Sequence, residues 1–285
     1  MPPGVGEHEK EDLLPEGSRL ISKGTAVVVG GAGRMGSMLA GSLAAAGMKV
    51  VIYDLDERRA LKAARRLGVR QGGPESAALG DIVVVSVPVK DTVNVCLSTA
   101  IEMRPGSLLV EISSVKTGVV EKVEAGIPDM VEYASMHPLF GPEAASVKGG
   151  AVVLIPVRLQ RWRSPLYDLM ERIGWRIVLS DVEEHDRAMA VVQVLHHFSY
   201  LCLASSVSQL GIDMRFCTRS LERTLRILRR LNRDLGVILS IQRENPFAAE
   251  VRKAYCLSVL RLAEDQRSFE ESVRESLRRL FEEIV

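Results

Sequence analysis

The sequence predicts an α/β protein: a doubly wound, mostly parallel sheet in the first half and an all-α domain in the second. Three observations carry that prediction. Apolar, strand-like runs alternate with helical segments as far as residue 179, and the first of them feeds a glycine-rich turn. After Asp181 no convincing strand signal is found, and long stretches keep helical spacing. The expected organisation is a flexible leader over residues 1–23, a sheet domain over 24–180 and a helical domain over 181–285.

The first element is the most informative. Ala26 to Val29 run into Gly31-Ala-Gly33-Arg34-Met35-Gly36, and an alanine-rich segment, Ser37 to Ala46, comes next. A short apolar run reads as a buried parallel strand, and the segment behind it as a helix opening at the last glycine. Gly31 permits the tight turn, Gly33 lets the backbone approach a pyrophosphate, and Gly36 lets the helix pack close to the strand. The helix start, Arg34 and Met35 included, then turns N–H groups and a positive dipole end towards the phosphates. This is the Rossmann-type arrangement. The next strand, Met48 to Tyr53, ends in Asp54, eighteen positions after Gly36. That spacing lets its carboxylate accept hydrogen bonds from the adenosine ribose hydroxyls. Asp54 also suits an N-cap for a helix beginning near Glu57. A carboxylate opposes a 2′-phosphate, so NAD is expected rather than NADP, although Arg58 and Arg59 lie close enough to serve a phosphate.

The alternation continues. Asp81 to Pro88, Ser107 to Ser113, Met130 to Met136, Ala151 to Pro156 and Trp175 to Leu179 read as further strands of one sheet. Helices are expected at 56–67, 91–103, 118–125 and 165–173, and in the second half at 183–210, 215–234, 235–243 and 246–281.

Composition excludes several classes. The chain has 285 residues, 47% hydrophobic and 26% charged, with a net charge of +1. That balance gives no argument for nucleic acid or a membrane surface as partner. No apolar run approaches the length of a spanning helix, and residues 1–23 lack the apolar core of a signal peptide. A cytoplasmic location is expected. Cys96, Cys202, Cys217 and Cys256 lie far apart without metal-ligand spacing and read as reduced, mostly buried thiols. No metal is expected.

In an open parallel sheet, ligands bind beyond the carboxyl ends of the strands. The loops of interest are therefore those after Val87, Ile112 and Met136. The first, at Ser86-Val87-Pro88, borders the cofactor. The second, Ser113-Ser114-Val-Lys116, supplies hydroxyls and an ammonium. The third, His137-Pro-Leu-Phe-Gly-Pro142, places an imidazole at a strand end before a proline-stiffened loop. Such a histidine suits a general base on a bound substrate, and equally a satisfied loop histidine.

Together these motifs resemble the prephenate dehydrogenase family of tyrosine biosynthesis. The resemblance rests on Gly-Gly-Ala-Gly-Arg-Met-Gly, Ser-Val-Pro-Val, Ser-Ser-Val-Lys and His-Pro-Leu-Phe-Gly-Pro. It continues through Glu184-His-Asp, Gln193-Val-Leu-His-His-Phe198 and Ile241-Gln-Arg-Glu-Asn-Pro246, so it spans about residues 25 to 250. It implies an NAD-dependent oxidative decarboxylation of prephenate, or of its amino-acid analogue arogenate. His137 would take the proton of the substrate's ring hydroxyl, Ser114 would hold that hydroxyl, and Lys116 would orient the site. Gln193 and His197 would contact substrate, and Arg229 would bind a carboxylate, with Arg226 and Arg230 one register step away. Bottom-up, Arg215, Arg219, Arg223, Arg226 and Arg230 form a basic stripe at helical spacing, to be paired with acids such as Glu222 and Asp234.

Two other classes weigh less. A nucleotide sensor that binds nucleic acid would want a basic excess, but residues 151–285 hold 21 basic and 18 acidic side chains. A 3-hydroxyacid or phosphogluconate-type dehydrogenase would need a catalytic lysine in the helical half, where Lys253 alone is found. Apolar positions in excess of one face, at Val191, Leu195, Phe198, Leu201 and Leu203, suggest burial on several sides, as in a homodimer built through the helical domain.

Overall fold

A computed structural model describes residues 24–142, 147–264 and 269–284; the expected leader lies outside them. Strands β1 (Thr25–Val29), β2 (Lys49–Tyr53), β3 (Arg70–Gln71), β4 (Ile82–Val85), β5 (Leu108–Glu111), β6 (Glu132–Pro138), β7 (Ala151–Arg158) and β8 (Arg176–Leu179) form one eight-stranded sheet. Its order is β3-β2-β1-β4-β5-β6-β7-β8, and every neighbouring pair is parallel except β6 with β7. Strand order reverses between β1 and β4, which opens a crevice at their carboxyl ends.

Helices α1 (Arg34–Ala45), α2 (Glu57–Leu67), α3 (Val89–Glu102), α4 (Val120–Gly126) and α5 (Arg163–Ile173) connect successive strands. Alternate residues of β1 enter different apolar clusters: Ala26 and Val28 on one face, Val27 and Val29 on the other. A parallel strand covered on both sides has to be apolar throughout, which is why these runs do not alternate. Ile52, Leu108 and Leu154 are among the fully buried side chains. Each contributes about 1.5–3 kcal/mol relative to exposure.

The described residues divide into two compact units, with the boundary between His185 and Asp186. Across that boundary, α6 (Val182–Met189), a six-residue π segment (Ala190–Leu195) and α7 (His196–Leu210) continue into one another. Next along the chain come α8 (Arg219–Arg233), α9 (Leu235–Glu244), α10 (Ala248–Glu264) and α11 (Phe269–Ile284).

Several expectations need correcting. Helix α1 opens at Arg34, not at Gly36, because extended Gly33 serves as its N-cap and its carbonyl accepts from Ser37 N at 2.9 Å. The left-handed turn residue is Gly30, at φ 75°, and not Gly31. Helix α8 starts at Arg219 because Thr218 caps it, accepting from Leu221 N at 3.2 Å. Arg215 therefore leaves the stripe and pairs with Asp213 at 2.6 Å in a 3-10 turn. Of the cysteines only Cys96 is buried; all four are unbridged. The 29-residue helix Val182–Leu210 is long and apolar enough, by length and composition, to cross a membrane, against the expectation that no such run exists. Short polar interruptions at Gln193, His196 and His197 hide that run from inspection of the sequence.

Candidate active site

A cleft of about 990 Å³ lies over the carboxyl ends of β1, β2 and β4, and Gly30, Gly33, Asp54, Ser86, Val87 and Pro88 all line it. Gly31 and Gly36 sit buried beneath rather than on its wall. Their missing side chains are nonetheless what shapes it. A Cβ on Gly36 would stand 2.3 Å from the Gly30 carbonyl oxygen, and one on Gly31 would stand 2.3 Å from Ile52 Cγ2. Of the remaining turn residues, Arg34 is exposed, whereas Met35 is half-buried against the core.

Asp54 is half-buried at the rim. Its Oδ2 accepts from Ala32 N at 3.0 Å and its Oδ1 from Asp56 N at 3.1 Å, so it ties the glycine turn to the end of β2. The cap of α2 is Asp56, which accepts from Arg59 N at 3.0 Å, so Asp54 does not serve as that cap. Arg59 also lines the cleft, with Nη2 donating to Ala32 O at 3.4 Å. A carboxylate and a guanidinium thus share this rim of the cleft.

The second cluster surrounds His137, which is 4% exposed and lies within β6 opposite Val153. The antiparallel partner strand carries the pairing on to Pro138, so the imidazole is held by the ladder itself and not by a loop. Its Nδ1 lies 2.9 Å from Nε2 of His185, with the rings edge-to-face at 5.1 Å between centroids. Burial lowers the His137 pKa well below the ordinary 6.5, and the Lys116 ammonium and His185 push it the same way. A neutral imidazole at physiological pH results.

Lys116 is wholly buried, with Nζ donating to Glu111 Oε1 at 2.9 Å and to the Met136 carbonyl at 2.7 Å. Glu111 accepts in addition from Ser113 N at 2.6 Å and from the Ser135 hydroxyl. The ion pair thus ties β5, the Ser113–Lys116 loop and the residue preceding His137 into one unit. Ser114 is half-buried at the bend of that loop, between two residues so anchored.

In the helical unit, Gln193 lies on the π segment and His197 in the first turn of α7. The His197 Nδ1 is buried with no hydrogen-bond partner among the described residues. Burial lowers its pKa, His196 adds to that, and Asp234 opposes it. The π segment is braced from α9 and beyond: Gln242 Nε2 donates to the Val194 carbonyl at 2.8 Å, and Arg252 donates to the Gln242 carbonyl at 2.8 Å. Asn245 Nδ2 donates to the Asp186 carbonyl at 2.8 Å. Arg226, Arg229 and Arg230 are all exposed on α8.

Sequence reading missed Glu111, His185 and Gln242 as participants. The signal for Glu111 was present: an acid inside the apolar run Leu108 to Ile112 must be paired, since a lone buried charge is too costly. His185 was visible only as part of a motif, because no local pattern points a helical histidine at a strand 48 residues away.

Residues 39–179 match the family model described as the nucleotide-binding domain of prephenate dehydrogenase. A probable arogenate/prephenate dehydrogenase of Methanocaldococcus jannaschii is 28% identical over 241 residues, 81% of this chain and 54% of that protein. The chain therefore spans about half the length of that relative. A 4-amino-4-deoxyprephenate dehydrogenase of Streptomyces pristinaespiralis is 28% identical over 271 residues, 92% of this chain and 90% of its own length. Among solved structures, prephenate dehydrogenase from A. aeolicus, in complex with hydroxyphenyl propionate and NAD+, superposes with a TM-score of 0.76 at 20% identity. The match covers 91% of this chain and 98% of that one.

Proposed function

The chain belongs to the prephenate dehydrogenase family, and within it we propose an NAD-dependent oxidative decarboxylation of prephenate, with His137 as the base. The observation that carries this is a desolvated, neutral imidazole at the end of β6, in the same sheet whose β1–β4 crevice has the glycine turn of a dinucleotide site. NAD fits that turn: a Cβ at Gly36 would close the cradle against Gly30. When bound, NAD would supply the acceptor for the hydride on the carbon that bears the ring hydroxyl.

His137 holds the proton. As that carbon becomes a carbonyl, the hydroxyl proton moves to the imidazole. Loss of the ring carboxylate as carbon dioxide returns its electron pair to the ring, and the proton goes back to the phenolic oxygen of 4-hydroxyphenylpyruvate. The balance leaves the enzyme as it began. Ser114 donates to or accepts from the same hydroxyl. Lys116, with Glu111 as its counter-ion, holds the strand end and keeps His137 neutral. Gln193, His197 and Arg229 serve the substrate's polar groups, and the orphan Nδ1 of His197 is the kind of atom a substrate oxygen satisfies. Asp54 selects NAD over NADP. The enzyme acts as a cytoplasmic homodimer through its helical unit.

A second reading has an observation behind it. The Streptomyces relative, matched along 90% of its length, is named for a substrate with an amine in place of the ring hydroxyl. An amine presents an N–H to His137 as a hydroxyl presents an O–H. The test measures NADH absorbance with prephenate, arogenate and 4-amino-4-deoxyprephenate, each against NAD and NADP. Highest kcat/KM with prephenate and NAD supports the proposal; highest with the amino analogue transfers it to that substrate.

A further inference from the structure

The His137–His185 contact has a role that neither the family motifs nor the proposed mechanism assigns. Two buried imidazoles at 2.9 Å share one hydrogen, so one ring donates and the other accepts. For His137 to take a substrate proton at Nε2, that nitrogen must be unprotonated, which places its own hydrogen on Nδ1. His185 Nε2 is then the acceptor. The assignment is forced by the chemistry, since the opposite sharing would leave Nε2 of His137 protonated and unable to act as base.

We propose that His185 is a positioning residue for the reaction: its Nε2 accepts from Nδ1–H of His137, fixing the base in the tautomer that presents Nε2 to the substrate. The same contact strengthens once His137 carries the substrate's proton, because a charged donor makes the shorter and stronger hydrogen bond. Two features of the fold hold the contact in register. His137 is clamped in a β-ladder by Val153, and His185 sits in the first turn of α6, where its N–H donates to the Asp181 carbonyl at 3.1 Å. Both rings are buried, at 4% and 2% exposure. The supporting acceptor thus comes from a helix rather than from a carboxylate. This proposal rests on His137 being the base, and its test separates the two.

Four proteins are compared by steady-state kinetics with prephenate and NAD: His185→Leu, His185→Gln, His137→Asn and the double variant His137→Asn/His185→Leu. NAD binding, read by quenching of intrinsic fluorescence, checks that each is folded. Removing the acceptor with leucine should lower kcat by roughly 10–100-fold, the scale of losing a group that orients a reactive one, with KM changing less than about threefold. Glutamine, whose Oε1 accepts near the position of Nε2, should recover at least a third of the wild-type kcat. In the double variant the leucine should cost nothing further, because its whole effect acts through His137. Leucine activity within threefold of wild type overturns the proposal, as does a leucine penalty that persists undiminished beside His137→Asn. Should the leucine protein fail to bind NAD, glutamine decides alone: a kcat below a third of the wild-type value there overturns the proposal. If His137→Asn itself stays active, the base assignment falls and this inference with it.

Discussion

At the scale of single residues, burial decides which protonation state a histidine holds. His137 is held well below the ordinary 6.5 by desolvation first, then by Lys116 and His185. Only the neutral ring accepts a proton, so kcat/KM should rise with pH through this depressed value and be flat across neutrality. A pH profile from acid to neutral pH checks it; a midpoint at or above 7 would mean that the ring is solvated in the working enzyme. The sequence pointed to His137 because it ends an apolar strand run, and to Ser114 and Lys116 because their loop follows a strand of a predictable sheet. It could not show that Lys116 turns inward to Glu111, because that depends on the path of the loop after β5, or that His185 reaches His137, because that depends on β6 and α6 meeting in three dimensions. Asp54 was legible by spacing, yet its hydrogen bonds to the glycine turn were not.

Elements were legible where the pattern was long and failed where tertiary contacts decided. The buried strands β1, β2, β4 and β5 announce themselves as short runs rich in valine, isoleucine and leucine. Strand β3, two residues long, and the π segment carry no periodic signal. The antiparallel sense of β7 is likewise invisible, since an apolar run has no direction. For the glycine turn the geometry gives a firm expectation: Gly36→Ala sets a Cβ against Gly30 O at 2.3 Å, which α1 can relieve only by moving off the turn. That overpacking should cost about 1–3 kcal/mol and weaken NAD binding at least tenfold. Thermal unfolding with and without NAD measures both; an unshifted midpoint and intact affinity would remove the case for the cradle. On α8, alanine at Arg226, Arg229 and Arg230 in turn should single out one substrate anchor, expected at Arg229, whose KM rises roughly tenfold to a hundredfold. Lysine at that position should rescue only in part, since a point charge lacks the planar fork. Normal KM for all three places the carboxylate partner elsewhere.

The whole molecule is unevenly buried. Strands β1, β4 and β5 are buried along most or all of their length, whereas the helical unit keeps Val191, Val192, Leu203, Val237 and Leu260 at between 40% and 58% exposure. Apolar helices so open want a cover, and a second copy of the chain is the cover proposed. Light scattering on the purified protein should give twice the 31.3 kDa chain mass, and a monomeric mass at micromolar concentration would contradict it. Composition foretold none of this directly, because apolar content says how much must be hidden and not by what. The 29-residue helix Val182–Leu210 qualifies by length and hydropathy as a membrane span although histidines and a glutamine interrupt its apolar run.

Oxidation of prephenate by NAD through His137 is the central claim. The most direct measurement records NADH formation and 4-hydroxyphenylpyruvate release from prephenate, for the wild-type protein and His137→Asn side by side. The prediction is one product per NADH for the wild type, and a kcat lower by roughly 10²–10⁴ for the variant with NAD affinity little changed. No NADH from prephenate, or a variant within a few-fold of wild type, would contradict it.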